Sequence, residues 1–252
     1  MSDHWEFFPC QMGEHRAFIF YDHGIRESID SIDIRTAVRF RLTYKAPRDN
    51  GLPTDEEFDV VADIEDRLTD FIESNQGIYV GRVTVDGHRY FHTFCAAPED
   101  RIDTFLSELR SATGYAIEVL YKDDPEKESY WKELYPTEDD WQMILDRRVV
   151  DQLRKSGDDG STLRCIDHWA YFSTEAGARD YAEWASENGF SINKLAASDY
   201  KGDRKWCVQF NRDDAADLYS INHVTYQLRH KAKALDGEYD GWESPAMTGA
   251  AE

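Results

Sequence analysis

At 252 residues, with 41% hydrophobic positions and 7 Trp, 14 Tyr and 13 Phe, the chain carries enough bulky side chains to fill two cores, which excludes disorder over most of its length. Its 29 Lys and Arg stand against 50 Asp and Glu, a net charge of −21, and both halves divided at Pro136 are acidic with no basic patch, so direct nucleic-acid binding is disfavoured and a basic protein surface is the natural electrostatic partner. The start MSDHWEFF has neither a basic nor an apolar leader region and no run of 18 apolar residues exists, so a cytoplasmic protein outside the membrane is expected.

Two short apolar runs, Trp5 to Phe8 and Ala17 to Tyr21, read as strands, and IDIRTAVRFRLTYKA alternates as a third over Ile32 to Lys45. Thr54 and Glu57 form a capping box that opens a helix from about Asp55 to Ser74, with Val61, Ile64, Leu68, Phe71 and Ile72 on one face. IYVGRVTV and RYFHTFCA flank Asp86-Gly87, a hairpin signal. Pro98 at the first helical position starts a second helix, with Ile102, Leu106 and Leu109 inward, and YAIEVLY adds a strand. The order is β-α-β-β-α-β, the ferredoxin-like or split-βαβ arrangement, with two extra strands in front.

Residues 123–136 read as a charged connector or short linking helix between prolines. A second capping box, Thr137 with Asp140, starts a helix that presents Trp141, Leu145, Val149 and Leu153 and stops at Ser156-Gly157. The order then repeats. LRCIDHWAYF is a strand, Glu175 to Asn188 a helix facing inward with Ala178, Tyr181, Ala182 and Ala185, and FSINKLAAS and RKWCVQF a hairpin pair. Asp214 to Leu235 is a helix, and EYDGWES supplies the last edge strand. The expected class is α+β, with two tandem ferredoxin-like domains at 1–122 and 137–245, each an antiparallel sheet with helices on one face, followed by a flexible tail at 246–252.

The chemistry is sparse. Cys10, Cys95, Cys165 and Cys207 never form C-x-x-C, and three lie in apolar runs, so buried thiols are expected. His88 and His92 fall on a strand, where four residues span about 13 Å, too far to share a metal. The aromatics of HRYFHTF read as core residues rather than a base-stacking platform. No nucleophile elbow, dinucleotide fingerprint, phosphate loop or zinc helix occurs, so no catalytic residue, cofactor or metal ligand is assigned.

The helix RRVVDQLRKSGDD, the strand at Ile166 to His168, the helix ending ENGF and above all GEYDGWE after a long helix give residues 147–245 a resemblance to the regulator of ribonuclease E activity B family, cytoplasmic bacterial inhibitors of an RNA-degrading enzyme. Glu243 stands where that family usually has Gly after the Trp, and SPAMTGAAE stands where its bacterial members carry a long acidic tail. The N-terminal part, with WEFFP at Trp5, resembles more loosely the bacterial domain of unknown function 695, which brings no activity.

The first resemblance implies a non-catalytic regulator that binds a protein, ribonuclease E or its assembly, through an acidic C-terminal surface, without direct contact to nucleic acid or membrane. The candidate partner-binding residues are Asp167, His168, Tyr239, Asp240, Gly241 and Trp242. The same residues also admit a structural role, with Tyr239 and Trp242 closing the sheet over the core, Asp240-Gly241 as a turn and Asp167-His168 as a satisfied strand-end pair. A small-molecule enzyme or ligand-binding protein with its site between the two domains is the competing reading. The oligomeric state has no sequence signal.

Overall fold

The computed structural model describes residues 2–247, and the chain divides into two compact units between Asp140 and Trp141. Of the tail expected at 246–252, residues 248–252 lie outside the described residues. Unit 1 contains β1 (Trp5–Met12), β2 (His15–Asp22), β3 (Thr36–Thr43), α1 (Asp55–Ser74), β4 (Ile78–Val85), β5 (His88–Phe94), α2 (Glu99–Thr113), β6 (Ala116–Asp123) and the short α3 (Glu128–Trp131). Helix α4 (Glu138–Lys155) leads into unit 2, which adds β7 (Arg164–Phe172), α5 (Glu175–Glu187), β8 (Ser191–Lys201), β9 (Arg204–Asp214), α6 (Leu218–Ala234) and β10 (Gly237–Glu243).

The sheets are separate and wholly antiparallel, in the orders β1-β2-β4-β5-β3-β6 and β10-β7-β9-β8. Counted within each βαββαβ repeat, both place the strands second, third, first, fourth, so the fold is two tandem ferredoxin-like domains. The β1–β2 hairpin extends the first sheet by pairing with β4, Ala17 opposite Val85 through Tyr21 opposite Gly81. Asp86 and Gly87 both hold positive φ (48° and 74°), the backbone that lets a two-residue hairpin follow the sheet's twist.

Each core is the inward face of its sheet packed on helices. In unit 1, Val38, Phe40 and Leu42 meet Val61, Ile64, Leu68 and Ile72 of α1 and Ile102, Leu106 and Leu109 of α2. In unit 2, Ala170, Phe172, Val208 and Phe210 meet Ala178, Tyr181 and Ala185 of α5 and Val224, Leu228 and Ala232 of α6, while Val150 and Leu153 of α4 join Ile166, Ile221 and Trp242.

Three local readings change. Glu57 does not close a box on Thr54; Thr54 accepts from the Glu57 N–H, but the Glu57 carboxylate accepts from the N–H groups of Lys45 and Ala46 and from the Tyr115 hydroxyl, tying the end of β3 to α1. The box at Thr137 and Asp140 does form in both directions. Residues 123–136 are packed into unit 1, since Tyr130 and Leu134 are fully buried and the Tyr130 hydroxyl donates to the Asp22 carbonyl at 2.8 Å. Helix α6 begins at Leu218 rather than Asp214, because β9 runs on to Asp214 and Asp217 caps the helix by accepting from the N–H groups of Tyr219 and Ser220. Asp217→Ala should cost about 1 kcal/mol of unit 2 stability, read as a lower urea midpoint.

Candidate functional site

The candidate residues lie on the paired strands β7 and β10. In the β10–β7 ladder Tyr239 faces Ala170, Gly241 faces Trp169 and Trp242 faces His168, so Asp240 is the extra residue of a β-bulge. The bulge explains the wording of the segment. Tyr239 and Trp242 are three apart and would point to opposite faces of a regular strand, yet the extra residue turns both inward, where each is under 10% exposed. The Asp240-Gly241 pair is thus a bulge and not a turn.

Gly241 holds φ at +116°, a region closed to L side chains, while a Cβ there would meet nothing within 4 Å. Gly241→Val should therefore cost about 1–3 kcal/mol through backbone strain alone and loosen β10, seen as faster amide exchange at Tyr239 and Trp242.

Beneath β10 lies a polar group that no apolar pattern signals. Asp146 of α4 is 1% exposed, and its carboxylate accepts from Trp242 Nε1 (2.9 Å), Gln142 Nε2 (2.9 Å) and Thr225 Oγ1 (2.5 Å). Burial pushes its pKa up to about 6, with the three hydrogen bonds acting in the opposite direction. This network also sets the face of α4. The helix buries Gln142, Ile144, Asp146, Val150 and Leu153, whereas Leu145, expected inward, is exposed and Trp141 and Val149 are half-buried.

His168 is fully buried, stacked on Phe210 and edge-on to Phe190, with Nδ1 2.8 Å from the Tyr239 hydroxyl. Its Nε2 has no hydrogen-bond partner among the described residues. A proton there would add both a charge and an unpartnered N–H to a buried core, and burial, with Arg212 in support, lowers the pKa to about 3. Burial likewise raises the Tyr239 hydroxyl well above its ordinary value. His168 and Tyr239 are thus neutral packing partners.

The structure therefore divides the candidates in two. His168, Tyr239 and Trp242 sit inside, while Asp167, half-buried, and Asp240, exposed, remain at the surface with Gly241. Asp167 projects from the sheet face opposite the helices. Its Oδ1 accepts from Asn193 Nδ2 (3.1 Å) and Asn211 Nδ2 (3.5 Å), and Asn211 Nδ2 also donates to Asn193 Oδ1 (3.1 Å). On the same face Cys165 is exposed rather than buried, because its strand position points outward; burial of part of the side chain, then Asp167 and Asp213, raise its pKa. Cys10 is half-buried, and Cys95 and Cys207 are buried as expected.

In unit 1 His92 is buried beside Arg39 and Glu133, and burial lowers its pKa to about 3. The cavity at this point, about 30 Å³, is far too small for a metabolite.

Fold and site together define a two-module α+β protein whose second sheet seals an aromatic and carboxylate core on one face and leaves acids on the other. Residues 3–135, more than half of the chain, match the model of the Family of unknown function (DUF695), and the chain belongs to that family. Residues 143–244 match the model of Regulator of ribonuclease activity B. No curated protein matches at a significant level. Among solved structures, a protein proposed to be a glycine cleavage system transcriptional repressor aligns at 6% identity over 85% of this chain and 100% of its own, with a TM-score of 0.26. An unknown protein from Galdieria sulphuraria aligns at 10% identity over 84% and 98%, with a TM-score of 0.21. At those scores neither bears on fold or function. Among the described residues no helix is long and apolar enough to cross a membrane.

Proposed function

We propose that this chain is a non-catalytic regulator that binds ribonuclease E or its assembly through unit 2 and thereby alters RNA decay in the cytoplasm. The observation that carries this reading is the match of residues 143–244 to a family of ribonuclease regulators. The placement of the motif supports it. Tyr239, Trp242 and His168 hold β10 in position from inside, which leaves Asp167 and Asp240 as the candidate residues able to meet a partner. The mechanism is occlusion or remodelling of the enzyme by an acidic surface, in keeping with a net charge of −21, and it asks nothing of an active site.

The test is retention of the purified full chain on immobilised full-length and tail-truncated ribonuclease E at two salt concentrations, alongside the rate at which ribonuclease E cleaves a labelled RNA. Retention that weakens with salt and a slowed cleavage are expected. No retention on either form overturns the reading.

A further inference from the structure

In unit 2, α4, α5 and α6 all pack on the sheet face that carries Ile166, Ala170, Phe172, Val208 and Phe210. The opposite face is open at the Cys165 to Trp169 end of β7. There the ladders set three acids close together: Glu243 of β10 lies opposite Asp167, which lies opposite Asn211, and Asp213 lies opposite Cys165. Glu243 and Asp213 are exposed, and Trp169, the next outward residue of β7, is half-buried.

Two features give this patch its character. Some acids of unit 2 have cations, as Asp158 has Arg164, Glu175 has Arg179, Asp214 has Arg212 and Glu238 has Arg204, while Asp146 and Asp217 are held by neutral donors. Asp167, Asp213 and Glu243 make no ion pair with any described residue, and the Asn193 and Asn211 amides fix the Asp167 carboxylate through Oδ1, leaving Oδ2 without a partner among the described residues. Beside them, the bulge places Gly241, which has no side chain, opposite Trp169, with Asp240 next to it. On its other flank Trp169 faces Gln209, which in turn faces Lys194, so the cation on this face lies away from the acids.

We infer that this end of the sheet docks an arginine-bearing basic segment of a protein partner, with a guanidinium stacked on Trp169 and bonded to Asp167 and Glu243. The inference deepens the reading of unit 2 as a protein-binding regulator and rests on it. An indole face with two carboxylates at its edge suits a planar, weakly hydrated cation with several donors better than it suits a compact ammonium, so the surface selects Arg over Lys. The missing cations on the protein side are those that the partner supplies.

The experiment titrates the full chain with a fluorescein-labelled peptide of Arg-Gly-Ser repeats and with its Lys-Gly-Ser counterpart, by anisotropy, at two salt concentrations. The Arg peptide should bind at least about fivefold tighter than the Lys peptide, and Trp169→Ala and the double variant Asp167→Asn/Glu243→Gln should each weaken it about tenfold. Trp169→Phe, which keeps a ring, should retain most of the affinity and guards against mere loss of fold. The control Asp66→Asn/Asp70→Asn removes two exposed charges from α1 and should change affinity less than about twofold, since long-range attraction to a net charge of −21 is shared by the whole surface. Equal losses in control and patch variants, or no loss in either, overturn the inference. Ribonuclease E retention separates the two claims: retention indifferent to the patch variants sinks the docking face alone, whereas patch-dependent peptide binding without ribonuclease E retention sinks the functional reading alone.

Discussion

Trp242→Ala should destabilise unit 2 by about 4–8 kcal/mol, enough to unfold a domain of this size under mild conditions. Two effects add. The indole is 8% exposed and packs with Val150, Leu153, Ile166 and Ile221, so its removal leaves a cavity worth about 3–5 kcal/mol. It also takes away one of three donors to the buried Asp146 carboxylate, a further 1–3 kcal/mol or so. Trp242→Phe separates them. The ring stays, the N–H is lost, and the expected cost is about 1–3 kcal/mol, falling towards the packing difference alone when Asp146 is already Asn. Urea denaturation with residue-resolved amide exchange on β7 and β10 reads each value. Unchanged midpoints in Trp242→Ala would show that the indole is not part of the core.

How much of this was legible in the sequence follows from which physical signals are periodic. The ferredoxin-like order in both halves was legible, because apolar positions recur at helical or alternating spacing and Asp86-Gly87 punctuates them; α1 begins and ends at the residues expected. The inward face of α4 was not. It is set by Asp146 and Gln142, polar residues that a hydrophobic pattern assigns to solvent and that are buried because Trp242 and Thr225, distant in the chain, bond to Asp146.

The six candidate residues were found by their wording, and their division into inside and outside was not. A one-residue bulge shifts the alternation, and nothing but the Gly at Gly241 hints at it. Cys165 was misread for a related cause: an apolar neighbourhood in sequence says that a strand is half-buried, not which half a given residue joins.

The three buried titrating groups make the two units respond differently to acid. His92 in unit 1 and His168 in unit 2 each have a folded pKa near 3 against an ordinary 6.5, so the unfolded chain binds the proton first. The stability each confers is complete above pH 6.5 or so and is lost as pH falls towards 3, about 1.4 kcal/mol per pH unit, or roughly 2 kcal/mol by pH 5. Asp146 runs the other way. Its folded pKa of about 6 lies above the ordinary 3.8, so the native state binds the proton first, and lowering the pH from 7 to 5 relieves about 1 kcal/mol of the cost of burying the charge. Asp158, held low by Arg164, begins to lose its contribution only near its ordinary 3.8 and does not enter this window.

Unit 1 should therefore lose about 2 kcal/mol between pH 7 and 5 and unit 2 only about 1. Asp146→Asn, which cannot titrate, should bring the loss in unit 2 up to that in unit 1, while His168→Phe should leave unit 2 slightly more stable at pH 5 than at pH 7. Urea midpoints of the full chain at the two pH values, assigned to each unit by amide exchange, give the comparison. An Asp146→Asn protein whose pH dependence matches the parent would mean that the carboxylate is ionised at both pH values, and the hydrogen bonds from Thr225, Gln142 and Trp242 would then outweigh its burial.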